Sequence, residues 1–209
     1  DFGDSMTRKG TAVTTIIARC LPATMKLGLV AFIIAITVGV TLGIVAAFTK
    51  RKWVENLVMF VATIGISVPS FLYAMLLMIV FGVILGWLPI IGLKTPLHYI
   101  MPAFSLALYP ISMITRLVRS SMKEVMKQDY IVLARSKGTP MIKVILGHAL
   151  KNCLIPVVTY AGPLLAFLIT GSFVIESLFS IPGIGSEFVN SVTNRDYTMI
   201  MALTILFGS

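Results

Sequence analysis

The chain has 209 residues, 57% of them hydrophobic and only 12% charged, and its mean hydropathy is +0.98. A soluble domain needs about a quarter charged residues to face water, so this composition excludes an ordinary soluble domain and indicates a multispan membrane protein. The net charge of +9 does not mark a nucleic-acid binder, because the basic residues cluster between apolar runs, as cytoplasmic loops do under the positive-inside rule.

Cys20 and Cys153 are the only cysteines. That argues against a disulfide framework, and neither has metal-ligand spacing. The chain opens on Asp1 without Met and closes on Ser209 inside an apolar run, so both ends read as truncated. No signal peptide can be read.

The first apolar segment, Leu27 to Phe48, has 22 residues and no charge. As a helix it is ~33 Å long, enough for one bilayer core. Gly39 and Gly43 are four apart, which either lets another helix approach closely or reflects the tolerance of glycine in membrane helices. Before this segment, residues 15–26 read as a stretch lying along the membrane surface. After it, Lys50, Arg51 and Lys52 mark a cytoplasmic end.

The second segment, Leu57 to Leu85, has 29 residues. At ~43 Å it is too long for an upright helix. Pro69 removes a backbone donor within Ser67-Val68-Pro69-Ser70, so a break is expected there. Such breaks line pathways in transporters, although a plain structural kink is the simpler reading. Trp87 suits the far interface, and Lys94 is the one charge of the outer loop. The third segment spans residues 99–118, with Pro102 and Pro110. The fourth runs from Cys153 to Ile175. A fifth starts near Thr198 and is incomplete.

The topology alternates. Residues 116–151 hold eight basic and two acidic residues and read as cytoplasmic. Glu176 to Asp196 holds Glu176, Glu187 and Asp196 against Arg195 and reads as external. There Pro182-Gly183 reads as a turn, and Ser186 as the cap of a short helix that lays Phe188, Val189 and Val192 on the membrane surface. The N-terminal residues have a basic excess on the outer side, against the rule.

The long cytoplasmic segment is the most informative part of the chain. Ser121 and Glu124 have capping-box spacing. Arg116, Arg119, Lys123 and Lys127 recur on one helical face, where they can reach lipid phosphates. Asp129 reads as the cap of a helix over residues 130–137. Gly138 suits the left-handed position that ends a helix. Thr139 reads as the next cap, with Pro140 in the first turn. The result is a rigid helix–corner–helix knob, with Ile131, Ala134 and Leu133 as its apolar set.

Asp129-Tyr130-Ile131, Ala134-Arg135, Lys137-Gly138, His148-Ala149-Leu150, Asn152 and Leu154-Ile155-Pro156-Val157-Val158 carry a resemblance. The chain resembles the permease subunit of bacterial ABC importers, in the oligopeptide, dipeptide and nickel branch, and within it the oligopeptide B-type subunits. The opening run from Asp1 to Ser5, Trp87-Leu88-Pro89, the run 177–185 and Asn194-Arg195-Asp196-Tyr197 match too. Counted from Gly138, the superfamily's general loop is matched in its Glu-Ala-Ala triplet only at Ala134, with Val132 in place of the Glu, and in its Ile-x-Leu-Pro end only at Leu150.

The resemblance implies an all-α, polytopic transmembrane helical bundle of the binding-protein-dependent ABC importer permease type, multi-pass in a bacterial plasma membrane. Residues 1–209 would form one transmembrane domain, lacking a first span, with a coupling region over 119–151. Tyr130, Ala134, Arg135, Lys137, Gly138, Thr139, Pro140 and Lys143 would seat in an ATPase subunit. A second related permease, two ATP-binding subunits, an extracytoplasmic binding protein and peptide cargo are the implied partners.

A secondary transporter would carry an ionisable residue in mid-span, and none lies within 27–48, 57–85 or 153–175. An enzyme would need clustered His, Asp or Cys, and the chain has only His98 and His148. It also has no Gly-rich phosphate loop, so no catalytic centre and no cofactor are expected. Ser67, Pro69, Ser70, Thr159, Thr170, Gly171 and Ser172 are candidates for lining a path, each equally open to a helix–helix role. Oligopeptide, dipeptide and nickel-chelate cargo are not separable from these residues.

Overall fold

The computed structural model describes residues 2–93 and 95–208. Lys94 and Asp1, which carried expectations above, lie outside the described residues. The fold is all-α. Its helices are α1 Val13–Phe48, α2 Lys52–Ser67, α3 Ser70–Leu77 continuing as a wider-turned Met78–Ile84, α4 Ile100–Val125, α5 Asp129–Ser136 and α6 Met141–Val144 continuing as a wider-turned Ile145–Ala149. They continue with α7 Leu150–Cys153, α8 Ile155–Thr170, α9 Phe173–Leu178, α10 Ile184–Thr193 and α11 Tyr197–Gly208.

Among the described residues, Val13–Phe48, Pro96–Val125 and Ile155–Leu178 are long and apolar enough to cross a membrane. The bent pair Lys52–Ser67 and Ser70–Ile84 makes a fourth if taken as one span. The bend falls at Pro69. Val68 is extended at φ −96°, ψ 129°, and Pro69 follows at φ −58°, ψ 142°. A residue before proline is driven out of the helical region by the pyrrolidine ring, which is why α2 stops at Ser67.

The chain divides into two compact units. The first comprises residues 2–32, 69–106 and 165–208. Its apolar cluster joins Val13, Ile16 and Cys20 of α1 to Ile184 of α10 and Met199, Ala202 and Leu203 of α11. The three- and four-residue spacing in α1 corrects one expectation. Residues 15–26 do not lie apart as a surface segment. The buried stripe through Val13, Ile16, Cys20 and Leu27 carries one continuous helix through Pro22. Phe188 is also not splayed on a surface. Its ring stacks on Phe173 at 4.9 Å and meets Phe207 at 5.8 Å, while Val189 and Val192 stay exposed.

In this first unit Asp196 fastens the N-terminal segment to α11. One carboxylate oxygen caps α11 through the Met199 amide at 3.2 Å and accepts the Met6 amide at 3.1 Å. The other accepts the Thr7 hydroxyl at 2.7 Å and the Ser5 hydroxyl. Burial alone would raise this carboxyl, but the hydrogen bonds from Ser5, Thr7, Met199 and Met6 outweigh it and hold it down to about 2.

The second unit comprises residues 33–68 and 107–164. Here α1 and α4 approach closely, because a Cβ on Gly39 would sit 2.8 Å from the Ile114 Cβ and one on Gly43 would sit 2.5 Å from the Val118 Cβ. Of the two readings of this glycine pair, close helix approach is the one realised. Thr115 adds a hydrogen bond to the Gly39 carbonyl at 3.3 Å. On α4, Ile111, Ile114, Val118, Met122 and Val125 are all buried. That stripe runs straight through Ser121, so Ser121 and Glu124 lie inside a helix and form no capping box.

Candidate functional site

The knob is built around Gly138. The Gly138 amide donates to the Arg135 carbonyl at 2.9 Å and the Thr139 amide to the Ala134 carbonyl at 3.2 Å. This paired closure is a Schellman ending, which needs a left-handed residue at its centre, and Gly138 has φ +76°. The chain then restarts at once. Pro140 is extended at φ −56°, ψ 139°, and its carbonyl accepts the Lys143 and Val144 amides.

Both expected caps are shifted by one residue. Gln128, not Asp129, precedes α5, and its carbonyl accepts the Ile131 and Val132 amides. Asp129 sits in the first turn, where its carboxylate complements the helix dipole. Pro140 replaces Thr139 as the residue flanking α6 because its own carbonyl takes the first helical bonds.

The knob's two sides differ sharply. Ile131 and Val144 are fully buried, and α5 packs on α6. Tyr130 is tied down by the Asn152 side-chain amide, which donates to its hydroxyl at 2.7 Å. Ala134 is half-buried, and Arg135, Lys137 and Lys143 are exposed. The expected apolar set therefore divides: Ile131 is buried, whereas Leu133 is 56% exposed, with Val132 and Ile142 similarly open. These exposed apolar side chains stand on an otherwise charged segment.

Glu55 was not singled out by sequence and organises the basic face of α4. Arg119 donates to its carboxylate from Nε at 3.0 Å, and the Lys123 ammonium donates to the same oxygen. Only the Glu at the start of an otherwise apolar α2, preceded by three basic residues, could have signalled it.

In the first unit a second carboxylate is fully buried. Glu176 accepts the Thr24 hydroxyl at 3.0 Å on one oxygen. Its other oxygen accepts the Gly185 amide at 2.8 Å and the Ser186 amide at 3.1 Å. Thr24 in turn accepts the Ile184 amide at 2.8 Å. The opening amides of α10, which have no partner within their own helix, are thus satisfied by two side chains from elsewhere. Gly183, not Ser186, precedes α10. Ser186 lies in its first turn and accepts the Gly183 amide at 3.2 Å. The signal available in sequence was a lone Glu after a long apolar run, followed by the small residues Gly183, Gly185 and Ser186.

The path candidates divide by local role. The hydroxyls of Ser67 and Thr159 donate to carbonyls four residues back, and that of Thr170 to Phe167. Pro69 and Ser70 form the break itself. Ser172 caps α9 by accepting the Ile175 amide at 3.3 Å. Gly171 packs on Glu176, since a Cβ there would lie 2.7 Å from its carboxylate oxygen. Ser172 and Gly171 therefore belong to the turns around the buried carboxylate. Among the described residues no group of His, Cys, Asp and Glu could hold a metal ion.

Residues 39–209 match the family of binding-protein-dependent transport system inner membrane components. The chain is 42% identical to the oligopeptide transport system permease protein OppB of Haemophilus influenzae, over 100% of this chain and 69% of that protein. It is 44% identical to OppB of Escherichia coli strain K12, over 100% and 69%. It is 42% identical to the dipeptide transport system permease protein DppB of Bacillus subtilis, over 100% and 68%.

Among solved structures, an inward-facing form of the MetNI methionine ABC transporter matches at a TM-score of 0.73 and 18% identity, covering 93% of this chain and 90% of that one. An amino acid ABC transporter matches at 0.69 and 14% identity, covering 93% and 86%. These two likenesses concern the fold alone. The chain belongs to the family of binding-protein-dependent transport system inner membrane components. It is a multi-pass permease subunit of a bacterial cell membrane.

Proposed function

We propose that this chain forms half of the translocation pathway of an ATP-driven peptide importer, and that residues 129–143 couple it to an ATP-binding subunit. The carrying observation is the knob: a Schellman corner at Gly138 fixes the end of α5 against the start of α6, leaving Val132, Leu133 and Ile142 exposed. A fixed projection can transmit a push from a partner, which a loose loop cannot. A second related permease completes the path. Two ATP-binding subunits hydrolyse ATP, and a binding protein delivers cargo from outside. The chain itself supplies no catalytic centre. Its Pro69 break contributes to the path.

Oligopeptide and dipeptide cargo both have support, because relatives named for each stand at similar identity. ATP-dependent uptake of labelled tetrapeptide and dipeptide by the complete complex in proteoliposomes separates them. We expect tetrapeptide uptake that falls in Pro69→Ala with assembly intact. Uptake of neither peptide would sink the reading.

The same proposal places the knob inside and α10 outside. Single cysteines at Gln128 and Asn194, both exposed, should label from opposite faces of the membrane. Labelling of both from one face would contradict the orientation.

A further inference from the structure

In the second unit, the end of α1 and the end of α4 enclose a cleft of about 250 Å³, lined by Ala47, Phe48, Met122, Lys123, Met126 and Lys127. Its chemistry is divided. Four lining residues are apolar and two are lysines. Lys123 lies in the last turn of α4 and Lys127 in the turn that follows it, and both line the cleft. Phe48 is the last residue of a long uncharged run, and Lys50, Arg51 and Lys52 follow it. The cleft therefore stands where apolar chain gives way to basic chain, at the level of a lipid headgroup.

The charge is not cancelled locally. Glu55 engages Arg119 and Lys123. An ammonium has three donors, so Lys123 can hold Glu55 and still offer hydrogens to a second anion. Among the described residues Lys127 has no ion-pair partner, and the nearest acid before it in the chain, Glu124, is exposed. An apolar floor under two cations complements an acyl chain beneath an anionic phosphodiester, and it suits neither a free inorganic ion nor an uncharged lipid.

We propose that this cleft binds one anionic phospholipid, with the phosphodiester between Lys123 and Lys127 and the upper acyl chain along Phe48, Met122 and Met126. No residue of α5 lines the site, and it does not depend on which peptide is carried. It ties the ends of two helices to the membrane surface beside the knob.

The test is native mass spectrometry of the complete complex extracted from bilayers of mixed phosphatidylglycerol and phosphatidylcholine. We expect phosphatidylglycerol retained on the wild-type permease, reduced about five-fold by Lys127→Gln and further by Lys127→Glu, on the scale of one basic residue at an anionic surface. Ala47→Trp fills the cleft without altering charge and should also lower retention, whereas Lys151→Gln should not. Equal retention of the two lipids, unchanged phosphatidylglycerol in Lys127→Gln and Ala47→Trp, or an equal loss in Lys151→Gln would overturn the site. Loss of the ATP-binding subunit from Lys127→Gln with lipid occupancy unchanged would assign the cleft to a protein contact and equally overturn it.

Discussion

Gly138→Val should abolish most peptide uptake while leaving membrane insertion intact, and Gly138→Asn should retain most of it. The contrast follows from the corner's geometry. Nothing lies within 4 Å of a Cβ built on Gly138, yet its φ is +76°. The cost of a side chain there is thus conformational and not a matter of space. A β-branched residue held in that region costs on the order of 1–2 kcal/mol or more, whereas Asn visits it routinely. On one side of the corner α5, with 8 residues, has little reserve to absorb the penalty. With valine the Schellman closure opens and the exposed face of α5 loses its fixed direction. Uptake in proteoliposomes, compared with the amount of permease inserted, reads the difference. A Gly138→Asn protein as inactive as Gly138→Val would show that the backbone conformation is not what matters.

Glu176→Leu should destabilise the permease by roughly 3–5 kcal/mol, since it strands the Thr24 hydroxyl and the Gly185 and Ser186 amides in a buried site. Glu176→Gln should cost less. It keeps an acceptor for the two amides and loses mainly the bond from Thr24. Gly183→Ala should approach the Leu effect by a different route. A Cβ there would lie 2.3 Å from a Glu176 oxygen and 2.5 Å from the Thr24 hydroxyl, so the carboxylate must leave its place. Thermal aggregation of the detergent-extracted complex orders the variants. Wild-type behaviour in both Glu176→Leu and Gly183→Ala would mean that the buried carboxylate does not hold the α9–α10 turn.

What could be read from sequence was what is local. Gly138 and Pro140 dictate a corner within a few residues, so the knob was visible, with its caps displaced by one position. Pro69 dictates a break by the same kind of short-range sterics. The Gly39 and Gly43 pair left two readings open, because the side chains that decide between them, Ile114 and Val118, are on another helix. The ionic and polar clusters were hidden for the same reason. Glu55 is 64 positions from Arg119, Thr24 is 152 from Glu176, and Ser5 is 191 from Asp196. No periodicity records such pairings, and Glu176 and Asp196 read simply as charges of an outer loop. The apolar set of α5 could be named but not divided, because a short helix with apolar residues at 131, 132, 133 and 134 does not reveal which of them faces inward.

The central claim is that the exposed apolar face of α5 seats in an ATP-binding subunit. The most direct measurement is ATP hydrolysis by the reconstituted complex, with and without cargo-loaded binding protein, for the wild type, Gly138→Val, Ala134→Glu and Leu133→Glu. The wild type should be stimulated by loaded binding protein. Leu133→Glu places an uncompensated charge in an apolar contact, and all three variants should lose the stimulation while remaining inserted in the membrane. Full stimulation in Leu133→Glu and Gly138→Val, with normal uptake, would contradict the account and remove residues 129–143 as the coupling element.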